Sequence, residues 1–163
     1  MIRIGRLTSS DRASAGVYED LSGPEIEKAL AALFAGEEIE WRRVLQPDER
    51  PALEAALREL VDREQCRLVV TTGGTGPNRR DVTPEATRAV LDLELPGFGE
   101  IMRVRTFEAA PTSILSRATA GRRGACLIVN LPGRPSAVAE CLAVLGPAIK
   151  KALELLELDY RDA

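Results

Sequence analysis

Histidine is absent from the 163 residues of this chain, and that absence removes whole classes of chemistry. Ser–His and Cys–His nucleophilic machinery is excluded, as is histidine acid–base catalysis. Cys66, Cys126 and Cys141 are scattered among apolar neighbours with no CxxC spacing, so they read as buried structural thiols rather than zinc ligands. Aromatics make up 4% of the chain and the net charge is −3, which leaves little for base stacking and no electrostatic footprint for nucleic acid. Lys28, Lys150 and Lys151 are the only lysines, and none follows a glycine loop, so there is no Walker A motif. No apolar stretch approaches the ~20 residues of a membrane span. MIRIGRLTSS begins as a strand, without the apolar core or cleavage site of a signal peptide. The expectation is one domain over 1–163, located in the cytoplasm, with an ordinary apolar fraction of 45%.

What is present concentrates in residues 66–85, CRLVVTTGGTGPNRRDVTPE. Leu68, Val69 and Val70 read as a buried strand. It opens into Thr71-Thr72-Gly73-Gly74-Thr75-Gly76-Pro77, where glycine permits φ > 0 and lets successive N–H groups converge on an anion. Arg79, Arg80 and Asp81 follow, then Thr83-Pro84-Glu85, a helix start with Thr83 as N-cap. A strand, a glycine cradle, two cations, a carboxylate and a helix N-terminus suit a phosphorylated ligand with a metal beside it. A bare GGTG is also an ordinary tight turn. The loop lacks GxGxxG spacing, which argues against a dinucleotide-linked oxidoreductase.

Strands are expected at 2–7, 38–45, 67–71 and 125–131. Helices are expected from a Ser22–Glu25 capping box to about 35, from Asp48 to about 64, over 84–92, and over 97–108. Residues 109–124 read as loop, with a turn or short strand at Ile114–Leu115. The C-terminal helical stretch is expected to break at Gly146-Pro147. Strands separated by helices, two of them continuously apolar, imply an α/β fold with a mainly parallel sheet covered on both faces. Its ligands belong beyond the carboxyl ends of the strands. The loops Thr8–Gly16, Gln46–Asp48, Thr71–Asp81 and Pro132–Pro135 are therefore expected to share one edge and one pocket.

At this point the chain resembles the molybdopterin adenylyltransferases, the Mog-type and MoaB-type proteins of molybdenum cofactor synthesis. The resemblance rests on Ser9-Ser10-Asp11-Arg12-Ala13-Ser14-Ala15-Gly16, Tyr18-Glu19-Asp20, Ser22-Gly23-Pro24, Pro47-Asp48-Glu49 and Thr71–Pro77. It continues through Arg80–Ala86, Pro96–Glu100, Ile114–Arg117 and Asn130–Gly133, in family order from residue 2 to about 157. It implies a three-layer α/β/α molybdopterin-binding fold, a homotrimer, and transfer of AMP from ATP to molybdopterin with Mg²⁺, releasing pyrophosphate. The enzyme that later inserts molybdate is implied as a downstream partner.

The residues support this reaction type independently. A phosphate monoester that attacks the α-phosphorus of ATP is already ionised at neutral pH, so no histidine base is required. In-line positioning and charge neutralisation remain, and Mg²⁺ on one or two carboxylates serves both. Asp48 and Asp81, each on a loop beyond a strand, are the candidate catalytic and metal-binding carboxylates. Each has a second reading, Asp48 as an N-cap and Asp81 as a carboxylate favouring a helix dipole. Ser9, Asp11, Thr72, Gly73, Gly74, Thr75, Gly76, Arg80, Pro132 and Gly133 are candidate nucleotide contacts under the resemblance, with Ser116 and Arg117 on the pterin side. Asn130, at a strand end, is a further candidate, though it could equally satisfy backbone groups. Two rivals are a CinA-type nucleotide pyrophosphatase, which carries an acidic pair where this chain has Arg80-Asp81, and a pterin-binding scaffold without turnover.

Overall fold

The apolar runs around Val69 and Ile128 form the middle of a six-stranded sheet in a computed structural model that describes residues 1–161. The strands are β1 (Ile2–Ser9), β2 (Ile39–Gln46), β3 (Leu68–Thr72), β4 (Leu93–Glu94), β5 (Ala120–Arg123) and β6 (Cys126–Leu131), in the order β2-β1-β3-β6-β5-β4. The first four in that order run parallel, whereas β5 and β4 are antiparallel additions at one edge. The register places Ile4 beside Leu68 and Leu68 beside Leu127. Because side chains alternate across a strand, these three point to one face while Val69 and Ile128 point to the other.

Helices cover both faces, giving three α/β/α layers. On one side α2 (Ser22–Leu33), α5 (Gly97–Thr106) and α6 (Pro135–Arg161) bury Ile26, Leu30, Met102, Leu142, Leu145 and Ile149 against Ile4, Leu68, Val70 and Val129. On the other, α3 (Arg50–Arg58), a π-type turn over Glu59–Arg63 and α4 (Thr83–Val90) bury Leu53, Leu57, Leu60 and Val90 against Leu7, Val69 and Ile128. A short α1 (Asp11–Ser14) follows β1, with Ser10 Oγ accepting from the Ala13 N–H at 3.1 Å.

Three local expectations are corrected. Residues 120–123 are strand rather than loop: AGRR carries no apolar alternation, and becomes β5 by pairing with β6 through a turn at Gly124, where φ is +54°. The expected break at Gly146-Pro147 does not occur, and α6 passes straight through it. Pro147 and Ala143, whose carbonyl loses its helical partner there, lie on the exposed side, while Gly146 lets Leu33 of α2 approach closely. Finally, α2 has no capping box. Leu21 is its N-cap without a side-chain bond, and Ser22 instead donates to the Gly133 carbonyl at 2.7 Å.

All three cysteines are free and buried, and burial raises their thiol pKa values, to about 12 for Cys66 and about 11 for Cys141. Ellman's reagent at about pH 8 is therefore expected to leave the folded protein unmodified and to titrate every thiol once denaturant is added. Rapid labelling of the native protein would contradict the burial.

Candidate functional site

Four parallel strands end at the same edge of the sheet, and the loops that follow β1, β2, β3 and β6 converge there, as expected. Ser10 N–H donates to the Gln46 carbonyl at 2.9 Å, which ties the first loop to the second. Asp48 binds the pair more tightly. Its Oδ1 accepts from Ser9 Oγ at 2.6 Å and its Oδ2 from the Asp11 N–H at 2.9 Å, while its own N–H donates to Asp11 Oδ1 at 3.0 Å. The expected capping role is thereby corrected: Glu49 is the N-cap of α3, and no side chain bonds there. The Asp48 carboxylate faces the loop cluster instead.

The glycine loop closes over this cluster. Gly73 and Gly74 have φ of +89° and +65°, which L side chains rarely adopt. A Cβ on Gly73 would run into the Ser9 carbonyl, and one on Gly74 would meet Thr83 Oγ1 and sit 3.2 Å from Asp48 Oδ1. Thr83 is not the N-cap of α4. Val82 holds that position, and Thr83 pins the loop, with Oγ1 donating to the Gly73 carbonyl at 3.0 Å and its N–H to the Gly74 carbonyl at 3.1 Å. Thr72 Oγ1 donates to the Pro132 carbonyl at 2.6 Å, joining this loop to the turn after β6.

Arg80 returns from the tip of the loop to Asp11, with Nε at 2.9 Å from Oδ2 and Nη2 at 2.7 Å from Oδ1. That guanidinium, together with the Asp48 N–H, holds the Asp11 carboxyl below the usual range. Asp81 closes a turn, with Oδ2 accepting from the Asn78 N–H at 2.9 Å.

Two cavities adjoin along the glycine loop. One, of about 330 Å³, is lined by Ser9, Asp11, Asp48, Thr72, Gly73 and Gly74, with Arg12, Tyr18 and Asp20 on its wall. The second, of about 290 Å³, is lined by Thr75, Gly76, Ser116 and Pro132, by the apolar Met102 and Leu115, and by the charged Arg103, Arg134 and Glu140. Gly133 lines both. Asp81 and Arg117 line neither, but a shallow depression on the outer side of the loop, with Arg50, Arg79 and Glu85. The structure thus brings Asp48 together with Ser9, Asp11 and Arg80, and leaves Asp81 apart from them.

Two candidates are buttresses in this geometry. Asn130 is fully buried, with Nδ2 donating to Thr71 Oγ1 at 3.0 Å and Thr87 Oγ1 at 2.9 Å and Oδ1 accepting from the Thr119 N–H at 3.3 Å, so it faces neither cavity. This corrects its candidacy as a ligand contact: every polar atom is engaged inside the protein. Arg117 donates to the carbonyls of Gly76 and Asp81 at 2.9 and 2.6 Å and pairs with Glu85. Burial of Glu85 opposes its ionisation, yet the Arg117 guanidinium outweighs it and keeps the carboxyl below the usual range.

Sequence reasoning assigned no site role to Asp20 or Tyr18. Asp20 accepts from Arg6 Nη1 and Thr8 Oγ1, both at 2.8 Å, and from the Gly23 N–H at 3.0 Å, fixing the wall of the first cavity. Tyr18 hydrogen-bonds Ser10 and lies under the Arg12 guanidinium. The available signal was Arg6, a charge in the half-buried strand β1 that needs a carboxylate partner. Among the described residues Arg12 lines the first cavity and Arg103 and Arg134 the second without a carboxylate in ion-pair contact, and Glu140 stands in the second cavity with them.

A mainly parallel α/β sheet with a glycine cradle and paired cavities at its carboxyl edge is the architecture of a molybdopterin-binding domain, and the family model described as "Probable molybdopterin binding domain" matches residues 5–151. The chain belongs to the MogA/MoaB-type molybdopterin adenylyltransferase family. It is 49% identical over 159 residues to a molybdopterin adenylyltransferase of Helicobacter pylori strain J99, covering 98% of this chain and 90% of that protein. The structure of the molybdopterin biosynthesis enzyme MoaB from Thermus thermophilus superposes with a TM-score of 0.83 at 42% identity, over 96% of each chain. The Mog protein from Mycobacterium ulcerans gives 0.87 at 36% identity, over 96% of this chain and 99% of that one. Among the described residues no helix is long and apolar enough to cross a membrane.

Proposed function

We propose that this protein transfers AMP from ATP to the terminal phosphate of molybdopterin, releasing pyrophosphate, in molybdenum cofactor synthesis. The observation that carries the reading is the pair of adjoining cavities, one polar and built on the glycine loop, the other more apolar, meeting at Gly133. A bimolecular phosphoryl-type transfer needs two substrates held side by side with their reacting atoms in line. Backbone N–H groups of the loop, with Arg80 and Arg12, suit the triphosphate; Ser116, Thr75 and the apolar wall suit the pterin.

The attacking phosphate oxygen is ionised at neutral pH, so the chain's lack of histidine is no obstacle to the reaction. Charge on the triphosphate must be neutralised, and the donor set fits a hard divalent cation: Asp48 has hydroxyl and amide partners but retains lone pairs on both oxygens. Among the described residues no group of three or more potential metal ligands is assembled, and Asp48 and Asp81 line separate depressions. We assign both to Mg²⁺ as isolated carboxylates that would hold it together with substrate phosphates and water, where it would neutralise phosphate charge. Ser9 and Asp11 orient the Asp48 carboxylate, and Thr83 and Arg117 fix the loop by donating to its carbonyls. The reading includes action as a homotrimer in the cytoplasm, with the molybdate-insertion enzyme consuming the product. The exposed apolar face of Ile101, Val104, Phe107 and Ile114 supports self-association.

Incubation with ATP, Mg²⁺ and molybdopterin, followed by mass spectrometry, tests the reaction. Adenylylated pterin is expected; AMP and pyrophosphate without it would indicate hydrolysis, and no turnover would indicate a binding scaffold. Excess EDTA is expected to slow the transfer by at least about tenfold, and an unchanged rate would remove the metal from the mechanism.

A further inference from the structure

In this structure a guanidinium at the rim of the first cavity, that of Arg80, is held by the cavity-lining carboxylate of Asp11. Arg80 forks onto both oxygens of Asp11 at 2.7 and 2.9 Å, a geometry that guanidinium offers equally to phosphate. The pair is about half exposed, at 59% and 40% of the two side chains, and an ion pair this wet exchanges at little cost. Asp11 does not depend on Arg80 for its place. Its N–H is fixed to Asp48 Oδ2 and its Oδ1 also accepts from the Asp48 N–H, so the carboxylate stays when the arginine leaves. Among the described residues the Arg80 guanidinium makes no other hydrogen bond, and Glu49 and Asp48 attract it only at longer range.

We propose that Asp11 is a built-in surrogate for the substrate phosphate: it occupies Arg80 before a ligand arrives, and polyphosphate binding proceeds by exchange of Arg80 from Asp11 to the ligand. The exchange rests on the assignment of the first cavity to a nucleotide. It makes Asp11 a brake on anion binding as well as a positioning residue for Asp48. A cavity with no substrate keeps its loop tip strapped to the first loop, and ligand entry releases the strap.

The test is a double-mutant cycle on binding of inorganic pyrophosphate, measured by calorimetry with EDTA present so that no divalent cation contributes. D11N, which weakens the internal competitor, is expected to bind pyrophosphate about fivefold more tightly than wild type. R80Q is expected to bind more weakly than wild type. The decisive comparison is D11N/R80Q with R80Q. If Asp11 acts by occupying Arg80, the D11N gain disappears in the R80Q background. If Asp11 merely repels anions, the same gain recurs there and the exchange is overturned. Weaker binding by D11N would also overturn it, whereas failure of all four proteins to bind pyrophosphate would overturn the nucleotide assignment of the cavity itself. Circular dichroism of each variant confirms that the comparison is between folded proteins.

Discussion

Gly73→Ala is expected to destabilise the protein by at least about 2 kcal/mol and to abolish adenylyl transfer. Two separate penalties act at this position. The backbone has φ +89°, and an added Cβ would collide with the Ser9 carbonyl, part of the backbone that leads into the Ser9–Asp48–Asp11 cluster. Neither partner can yield easily, because Ser9 ends β1 and Gly73 is pinned by Thr83 Oγ1. Gly36→Ala separates the two penalties. Gly36 has nearly the same φ, +92°, and nothing within 4 Å of an added Cβ, so it carries the conformational cost alone, roughly 1 kcal/mol. Thermal unfolding of both variants should show the larger loss for Gly73, and activity should survive only in Gly36→Ala. Equal losses would mean that the close approach to Ser9 is not what the loop requires.

Asp81→Asn is expected to lower adenylyl transfer by about a hundredfold or more, the scale at which one charge-stabilising group contributes to a transition state. The structure makes this substitution unusually clean. Asp81 Oδ2 accepts the Asn78 N–H, and an asparagine carbonyl can accept the same bond, so the 78–81 turn is retained and only the charge is lost. Pterin affinity, read by direct binding, should change little, and thermal stability should stay within about 1 kcal/mol. Wild-type turnover would leave Asp81 as the closure of a turn. It would also place the whole metal-binding role on Asp48, which the structure sets in the first cavity beside Asp11, apart from Asp81.

The parts of the site that were legible in the sequence are those whose reasons are local. The glycine loop announces itself because glycine adopts the positive φ at 73 and 74 most readily, and β3 and β6 because strands buried on both faces are mostly apolar. The convergence of four loops also followed from local signals, since parallel strands joined by helices present their carboxyl ends together. Assignments that depended on a partner distant in sequence went differently. Thr83 and Asp48 both sit where helices begin, and their composition suits capping. Yet Thr83 bonds the glycine loop and Asp48 bonds residues 9 and 11, because β1, β2 and β3 lie side by side.

By itself, then, the sequence determined the mainly parallel α/β sheet, the glycine loop at its carboxyl edge and the exclusion of histidine chemistry, all consequences of residue type and spacing along a single segment. Only the tertiary structure decided that AGRR is a strand, that α6 continues through Pro147, that Asn130 and Arg117 brace the loops rather than face the cavities, and that Asp11 holds Arg80. Each of these is set by which surface a residue meets after folding. Pro147 is tolerated because its turn faces outward, and Asn130 is consumed because Thr71, Thr87 and Thr119 surround it. A hydrogen bond between residues 69 positions apart leaves no periodic trace in a chain, so the Arg80–Asp11 strap exists only in three dimensions.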